Sequence, residues 1–263
     1  MTVNWPPLDA HAHIDPTIAP RGLLELRAVV FAASRTLDES ATALNRQHED
    51  FLAVWGVGTH PAVTAALDSY DSGRFSDLVA RTAYVSEVGL DGRTKARLPR
   101  QIQVLTSILE ILQQHPRITS LHSYNATGQL VELLQQTPIK GAVLHWWLGD
   151  HTLTKRALEF GAHFSVNASN LKNTDALNAI PLERLITETD HPDGNRRTPQ
   201  PRQPGNVAKV EAALAQRHGL SPQAFRQQCW TNLSNLSAAV GCSSLLPPRV
   251  QTILAAAKVN ETP

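Results

Sequence analysis

Ala83-Tyr84-Val85-Ser86-Glu87-Val88 is a short, largely apolar run with a carboxylate near its downstream end. Comparable runs recur along the chain, near Leu8–Ala10, Ala28–Ala33, Phe51–Gly58, Ile118–Leu121, Gly141–His145, His163–Asn167 and Leu182–Thr187. Helix-like stretches lie between them, around Asp38–Asp50, Pro99–Gln114, Gly128–Gln136, Thr152–Phe160, Gly205–His218 and Pro222–Ala239. Several of these open on Ser, Thr, Asn or Asp and close on Gly or Pro, with Gly219 and Gly241 placed as helix stops. Apolar strands alternating with helices are the pattern of parallel strands joined by crossovers. Eight of them within 263 residues predict a closed (β/α)8 TIM barrel of the α/β class, since open doubly wound sheets usually stop at five or six strands. The first strand is the weakest, because Pro6 and Pro7 suit only a strand's start or edge. With no internal repeat or linker, residues 1–241 read as a single barrel domain. Cys242–Pro263, with three prolines and a short apolar piece, reads as a tail packed on the barrel or partly loose.

Composition removes several functional classes. Lys and Arg number 24 against 23 Asp and Glu, so neither a histone-like binder nor an acidic disordered chain fits. No apolar run approaches the roughly 18 residues of a membrane helix, and the start, MTVNWPP, lacks the basic-then-apolar layout of a signal peptide. The expectation is a soluble cytoplasmic protein without a membrane partner. Cys229 and Cys242 are too few for a disulfide framework or a thiolate zinc site, so they read as reduced thiols.

The placement of the ionisable residues carries the functional reading. His11 and His13 follow strand one, His60 follows strand three, Glu87 closes strand four, His122 strand five and His145 strand six, and Asp190 follows strand eight. In a barrel all these positions converge on the C-terminal rim, where active sites are built. The H-x-H pair can chelate one ion where the strand ends, and His122 with His145 can hold a second. Glu87 can bridge the two, because a carboxylate has two oxygens whereas an imidazole normally serves one metal. Taken singly, each histidine reads as an ordinary strand-end residue bonded to backbone. Four histidines and two carboxylates gathered on one rim are costly to desolvate unless cations hold them. His48, His115, His151, His163, His191 and His218 fall in helices, loops or strand starts and read as structural.

At this point the chain resembles the TatD-like metal-dependent deoxyribonucleases of the amidohydrolase superfamily, over roughly Leu8 to Leu236. The matching motifs are L-D-A-H-A-H-I-D at Leu8–Asp15, G-T-H-P at Gly58–Pro61, S-E-V-G-L-D at Ser86–Asp91, L-H-S-Y-N-A at Leu121–Ala126, H-W-W-L-G at His145–Gly149 and P-L-E-R-L-I-T-E-T-D-H-P at Pro181–Pro192. The resemblance implies a metallo-dependent hydrolase barrel with two divalent ions, Mg2+ or Mn2+ for activity. It places His11, His13, Glu87 and Asp190 around one ion and Glu87, His122 and His145 around the other. It further implies hydrolysis of DNA phosphodiesters from 3′ ends, with His60 touching substrate phosphate. Mixed imidazole and carboxylate ligands also suit Zn2+. Relatives often carry a second histidine where this chain has Ala62, and an arginine where it has Tyr124, and both departures remove phosphate contacts. The H-W-W-L-G motif and Gln203–Asn206 are similar to a divergent branch found in bacterial anti-phage operons, the QatD-type nucleases, which implies protein partners from the same operon.

If phosphate is the substrate, cations should line the rim loops. Arg93, Lys95, Arg97 and Arg100 follow strand four, and Arg196, Arg197 and Arg202 follow strand eight. These can track a DNA backbone while Tyr124 and Trp146 stack on bases, although such a run also reads as a solvated loop. Trp146 and Trp147 are adjacent, so one is expected to point into the barrel wall. The leading expectation is a hydrolase of single-stranded or frayed DNA, with Asp190 accepting the proton of the attacking water and Glu87 and His60 completing the catalytic set. Two readings stand beside it: an amidohydrolase acting on a small-molecule amide or lactone, and a non-catalytic barrel subunit of a defence complex. Relatives with small-molecule activities often bridge their metals through a modified lysine after strand four, where this chain has Glu87.

Overall fold

A computed structural model describes residues 5–46 and 52–259, apart from the side chains of 94–96 and 259. The strands are β1 (Leu8–His13), β2 (Val29–Ala33), β3 (Ala53–Trp55), β4 (Tyr84–Gly89), β5 (Ile118–His122), β6 (Ala142–Leu144), β7 (His163–Val166) and β8 (Leu185–Thr187). All neighbouring strands pair parallel, as a three-stranded sheet β1-β2-β3 and a five-stranded sheet β4-β5-β6-β7-β8. Backbone bonds just past the strand ends stitch the two sheets at both seams. At one, Val57 N donates to Tyr84 O and Ser86 N to Val57 O, at 3.2 and 2.8 Å; at the other, Asp190 N donates to His11 O and His13 N to His191 O, at 2.8 and 3.0 Å. The strands therefore form a ring of the TIM-barrel type.

Around the ring run α1 (Pro20–Glu25), α2 (Leu37–Leu44), α3 (Thr64–Asp68), α4 (Ser72–Val79), α5 (Leu98–Gln114), α6 (Thr127–Gln136), α7 (His151–Glu159), α8 (Thr174–Ala179), α9 (Ala208–Arg217), α10 (Pro222–Val240) and α11 (Pro248–Val259). Local chemistry sets their ends. Asp71, Asp150 and Ser221 cap α4, α7 and α10 by accepting backbone N–H groups of the first turn, and Gly241, at φ 70°, ends α10 in the left-handed region that favours glycine. Val104, Leu105, Ile108, Leu109 and Leu112 form the buried stripe of α5, each side chain contributing about 1.5–3 kcal/mol of burial.

Several boundaries differ from the sequence expectation. β1 extends through both histidines of the H-x-H pair, and 182–184 form a 3-10 turn rather than the start of β8. The short helices α1, α3, α4 and α8 were not anticipated; α4 supplies the crossover between β3 and β4 that a parallel pair needs. The expected ends of the second helix (47–50) and the start of the third strand (Phe51) lie outside the described residues, as does His48. Within the C-terminal segment, Val250, Leu254 and Ala257 recur at helical spacing and are buried in α11 against α10. Both cysteines are buried and unpaired. Among the described residues no helix is long and apolar enough to cross a membrane.

His163 opens β7 at 5% exposure, with its Nδ1 lacking a hydrogen-bond partner. Burial, aided by the Arg184 cation, lowers its pKa from 6.5 to about 4. A folded pKa below the unfolded value gives stability that is present above the unfolded pKa and lost as pH falls through the folded one. His163→Leu should therefore lose roughly 2 kcal/mol less than the parent between pH 7 and 4.5. Urea unfolding at both pH values measures this, and an equal loss in the two proteins would clear His163 of the effect.

Candidate metal centre

Two strands are irregular where they carry candidate ligands. The β1–β2 register shifts between Asp9 and Ala12, and the β4–β5 register between Val85 and Val88, so two residues on one strand, Ala10 and His11 or Ser86 and Glu87, face one on the other. Such bulges re-aim side chains at barrel rims, and these two contain His11 and Glu87. His13 ends β1, His122 ends β5, and His145 and Asp190 come just after β6 and β8. His60 lies in the loop between β3 and α3.

Glu87 is the centre of the cluster. Its Oε1 lies 2.6 Å from His122 Nδ1 and 3.1 Å from His145 Nε2. Its Oε2 lies 3.1 Å from His13 Nε2, 3.3 Å from His60 Nε2 and 3.8 Å from His11 Nε2. Asp190 Oδ1 stands 3.8 Å from His11 Nε2 and 3.9 Å from His13 Nε2. Ligand atoms close enough to share an ion occur as His11 with His13 and Glu87, His11 with His145 and Asp190, and His60 with Glu87 and His122. His145 also stacks on His11 at 4.1 Å, so it touches both halves of the cluster.

The other ring nitrogen decides what each histidine can offer. His13 Nδ1 lies 3.3 Å from the carbonyl of Ala33, to which it can only donate, leaving a lone pair on Nε2. His11 Nδ1 faces Ser120 Oγ at 2.7 Å and Tyr84 Oη at 3.1 Å; Tyr84 donates onward to Ala10 O, so its oxygen accepts from His11. His60 is the reverse case. Its Nδ1 accepts from Ala62 N at 3.0 Å, and burial lowers its pKa to about 4, so the neutral ring carries its hydrogen on Nε2. His60 can thus donate to Glu87 or to a substrate oxygen, and it has no inward lone pair for a cation despite its proximity.

Burial alone would raise the Glu87 pKa, but the imidazoles of His60 and His122, the latter also hydrogen-bonded to it, hold it well below the usual carboxylate range. Burial would lower His122, yet Glu87 and Asp91 outweigh it and push it up to about 9. Asp190 is raised by burial, with the Glu87 carboxylate adding to the effect. His11 Nε2 and Glu87 Oε2 are buried and lack hydrogen-bond partners, although both face the centre. Buried inward lone pairs on imidazole nitrogen and carboxylate oxygen fit divalent cations.

Three carboxylates absent from the sequence-derived set support this cluster. Asp91 Oδ2 lies 3.1 Å from His122 Nε2, which leaves Nδ1 for the centre, and Asp91 also pairs with Arg93. Asp9 accepts from Thr189 N, Thr189 Oγ1 and Gly205 N at 2.8, 2.6 and 2.7 Å, tying β1 to the segment that carries Asp190. Glu188 accepts from Trp146 N, Asn167 Nδ2 and Ser165 Oγ, and burial raises its pKa to about 7. Spacing could have found them: Asp9 stands two residues before His11, Glu188 two before Asp190, and Asp91 ends the S-E-V-G-L-D run.

A cavity of about 220 Å³ opens onto the cluster, with Arg93, Tyr124, Trp146, Leu148 and Arg196 among its lining residues. Trp147 instead fills the wall, 1% exposed, with Nε1 donating to Thr154 Oγ1. The basic side chains do not act as one patch. Arg93 is paired with Asp91 and lies over the Tyr124 ring at 4.8 Å, and Arg196 is paired with Asp193. Arg97 turns away to Asp68 at 2.7 Å, Arg100 to Leu67 O and Gln103, and Arg202 to Thr198 O. Arg197 is exposed and outside the cavity lining, and the Lys95 side chain lies outside the described residues. A one-turn offset along the 3-10 turn at Gly92–Arg97 sends its last arginine toward α3 instead of the cavity.

A parallel β/α ring that gathers imidazoles and carboxylates from several strands at its C-terminal rim has the architecture of metal-dependent hydrolases. Residues 8–237 match the family model described as TatD related DNase, and the chain belongs to that family of metal-dependent hydrolases. A metal-dependent hydrolase of Mycoplasma pneumoniae is 28% identical over 216 residues, 70% of this chain and 80% of that protein. The 3′-5′ ssDNA/RNA exonuclease TatD of Klebsiella pneumoniae is 26% identical over 198 residues, 66% of this chain and 75% of that protein. The fold is shared with the crystal structure of YjjV, a TatD homologue from Escherichia coli, with a TM-score of 0.76 at 20% identity, covering 87% of this chain and 96% of that one.

Because Asp91 orients His122, its loss should weaken divalent metal binding. Outer carboxylates of this kind typically account for about 10–100-fold in affinity. Asp91→Ala should show a loss in that range by competition with a chromophoric chelator, and Asp91→Asn, which can still accept from His122, a smaller one. Parental affinity in the alanine variant would mean that His122 is oriented without Asp91.

Proposed function

We propose that this chain is a cytoplasmic, divalent-metal-dependent deoxyribonuclease that shortens single-stranded or frayed DNA from the 3′ end. The observation that carries the reading is the geometry of Glu87, whose two oxygens face different imidazoles at the floor of a cavity walled by Arg93, Arg196, Tyr124 and Trp146. That division supports two cations: His11, His13, Glu87 and Asp190 would hold one, and Glu87, His122 and His145 the other. Mg2+ or Mn2+ serves activity, and the imidazole-rich set also accommodates Zn2+. Membership of a family described as DNases and the similarity to a 3′-5′ exonuclease support the substrate class.

When bound, the cations supply Lewis acidity, lowering the pKa of a water and offsetting charge on the phosphoryl group. The chain's own residues do the rest. Asp190 accepts the proton of the attacking water, a task suited to a carboxylate whose burial raises its proton affinity. His60 donates from Nε2 to a phosphoryl oxygen. Arg93 and Arg196 attract the backbone although each is already shared with an acid, so the salt dependence of binding is modest. Tyr124 and Trp146 offer faces on which bases stack.

The test is incubation of purified protein with end-labelled single- and double-stranded DNA under Mg2+, Mn2+, Zn2+ or chelator. Progressive shortening of the single strand from its 3′ end, abolished by chelator, is expected. No cleavage under any ion, combined with hydrolysis of an amide or lactone, would replace this reading with a small-molecule one. Asp190→Asn keeps the shape and an oxygen but cannot accept a proton at neutral pH. Its turnover should fall about 10²–10⁴-fold, with DNA binding retained. Metal content is measured beside it, and a variant that keeps its metal and cuts at the parental rate would exclude Asp190 as the base.

A further inference from the structure

A single exposed apolar side chain is ordinary, but apolar side chains gathered at the mouth of a cavity mark a place where a ligand can bury them. Among the described residues, the exposed large hydrophobics are Leu24, Tyr124 and Leu148, and the last two line the same cavity above Glu87. Leu148 is 42% exposed and lies between β6 and α7, in His145-Trp146-Trp147-Leu148-Gly149-Asp150.

This loop is held from every side. Trp146 sits at φ 39°, a left-handed conformation costly for a side-chain-bearing residue, and its N–H is fixed 2.9 Å from Glu188 Oε1. Trp147 is the buried plug beneath it, packed edge-on to Phe164 at 5.7 Å. A Cβ on Gly149 would lie 2.2 Å from the Trp147 ring, so only glycine lets the chain pass so closely. Asn173 Nδ2 donates to Gly149 O at 3.3 Å, and Asp150 caps α7. A loop pinned at Trp146, Trp147, Gly149 and Asp150, on both sides of Leu148, presents Trp146 and Leu148 as a rigid apolar prong. The facing side is fixed as well: Gly92 N donates to Tyr124 O at 2.7 Å, and Arg93 covers one face of the Tyr124 ring.

We propose that Leu148 is a base-contacting, specificity-determining residue, which with Trp146 and Tyr124 forms a preorganised apolar collar for one unpaired nucleobase at the strand end. The inference rests on the nuclease reading above and adds to it the feature of the substrate that is recognised. A flat, apolar-faced ring fits between such side chains, and stacking is tolerant of base identity. A base still paired at a duplex end has at most its outer face free and, tied to its partner strand, cannot enter between such side chains. Rigidity matters because ordering entropy is then not lost on binding. The cavity floor, with its carboxylates and imidazoles, would receive the adjoining phosphodiester.

The experiment compares kcat/KM on two 5′-labelled single strands that differ only in whether the 3′-terminal nucleotide carries a base or is abasic. In the parent, removing that base should cost on the order of tenfold. Leu148→Ala should shrink this cost several-fold, whereas Leu148→Met, which restores an apolar side chain, should keep it. A side chain that merely stabilised the fold would lower both rates together and leave their ratio alone. The same cost in Leu148→Ala as in the parent, or no cost in the parent, overturns the collar while leaving the nuclease reading intact. Cleavage of neither strand by the parent overturns both.

Discussion

Glu87 is 2% exposed and anionic, and five imidazoles surround it. A carboxylate so deeply desolvated is stable only if positive charge or hydrogen-bond donors satisfy it. His60 turns its Nε2–H toward Oε2 at 3.3 Å without closing a hydrogen bond and His122 is driven toward its charged form, but His11 and His13 turn lone pairs inward. A cation would meet the residual demand, and the lone pairs that would hold it already converge. Replacing the His122 proton by a divalent ion would also couple occupancy of the centre to pH.

Holding such a set in place falls to the strand ends. A carboxylate in a regular strand would share its face with residues two positions away. The β4 bulge breaks that repeat at Ser86 and Glu87, and the β1 bulge does the same at Ala10 and His11. Asp9 then joins the two ends of the ring by accepting donors from Thr189 and Gly205, so His11 and Asp190 approach through a buried polar link rather than through packing alone. Removing that carboxylate would leave several buried N–H and O–H groups without partners, which is more costly than the loss of one hydrogen bond.

The repeat of apolar runs was enough to predict the barrel, because buried parallel strands need no polar alternation and their periodicity is plain. Residues at the ends of those runs were legible for the same reason. Less legible were groups whose role depends on a partner far away in sequence. Asp91 looks like a loop acid until its contact with His122 is known, and Arg97 looks like a substrate cation until Asp68 is seen to hold it. Charge counted along a segment cannot show that Arg93 and Arg196 are each already matched to an acid. The helix α11 was obscured differently: a segment with three prolines reads as a tail packed on the barrel or partly loose, although proline is well tolerated in the first turn of a helix.

The two departures from the family pattern take on a physical sense in this setting. Ala62 has no side chain for a phosphate, but its backbone N–H fixes the tautomer of His60 and so makes that imidazole a donor toward the cavity. Tyr124 replaces a cation by an aromatic ring, and Arg93 lies against that ring, so positive charge remains within reach of the same place. Positive charge at this place therefore comes from the loop after β4, with an exposed aromatic side chain beside it. On the nuclease reading proposed above, a rim organised in this way would rely less on ion pairing and more on stacking than one lined with arginines. Binding at such a rim should therefore follow the bases a strand presents more closely than its phosphates.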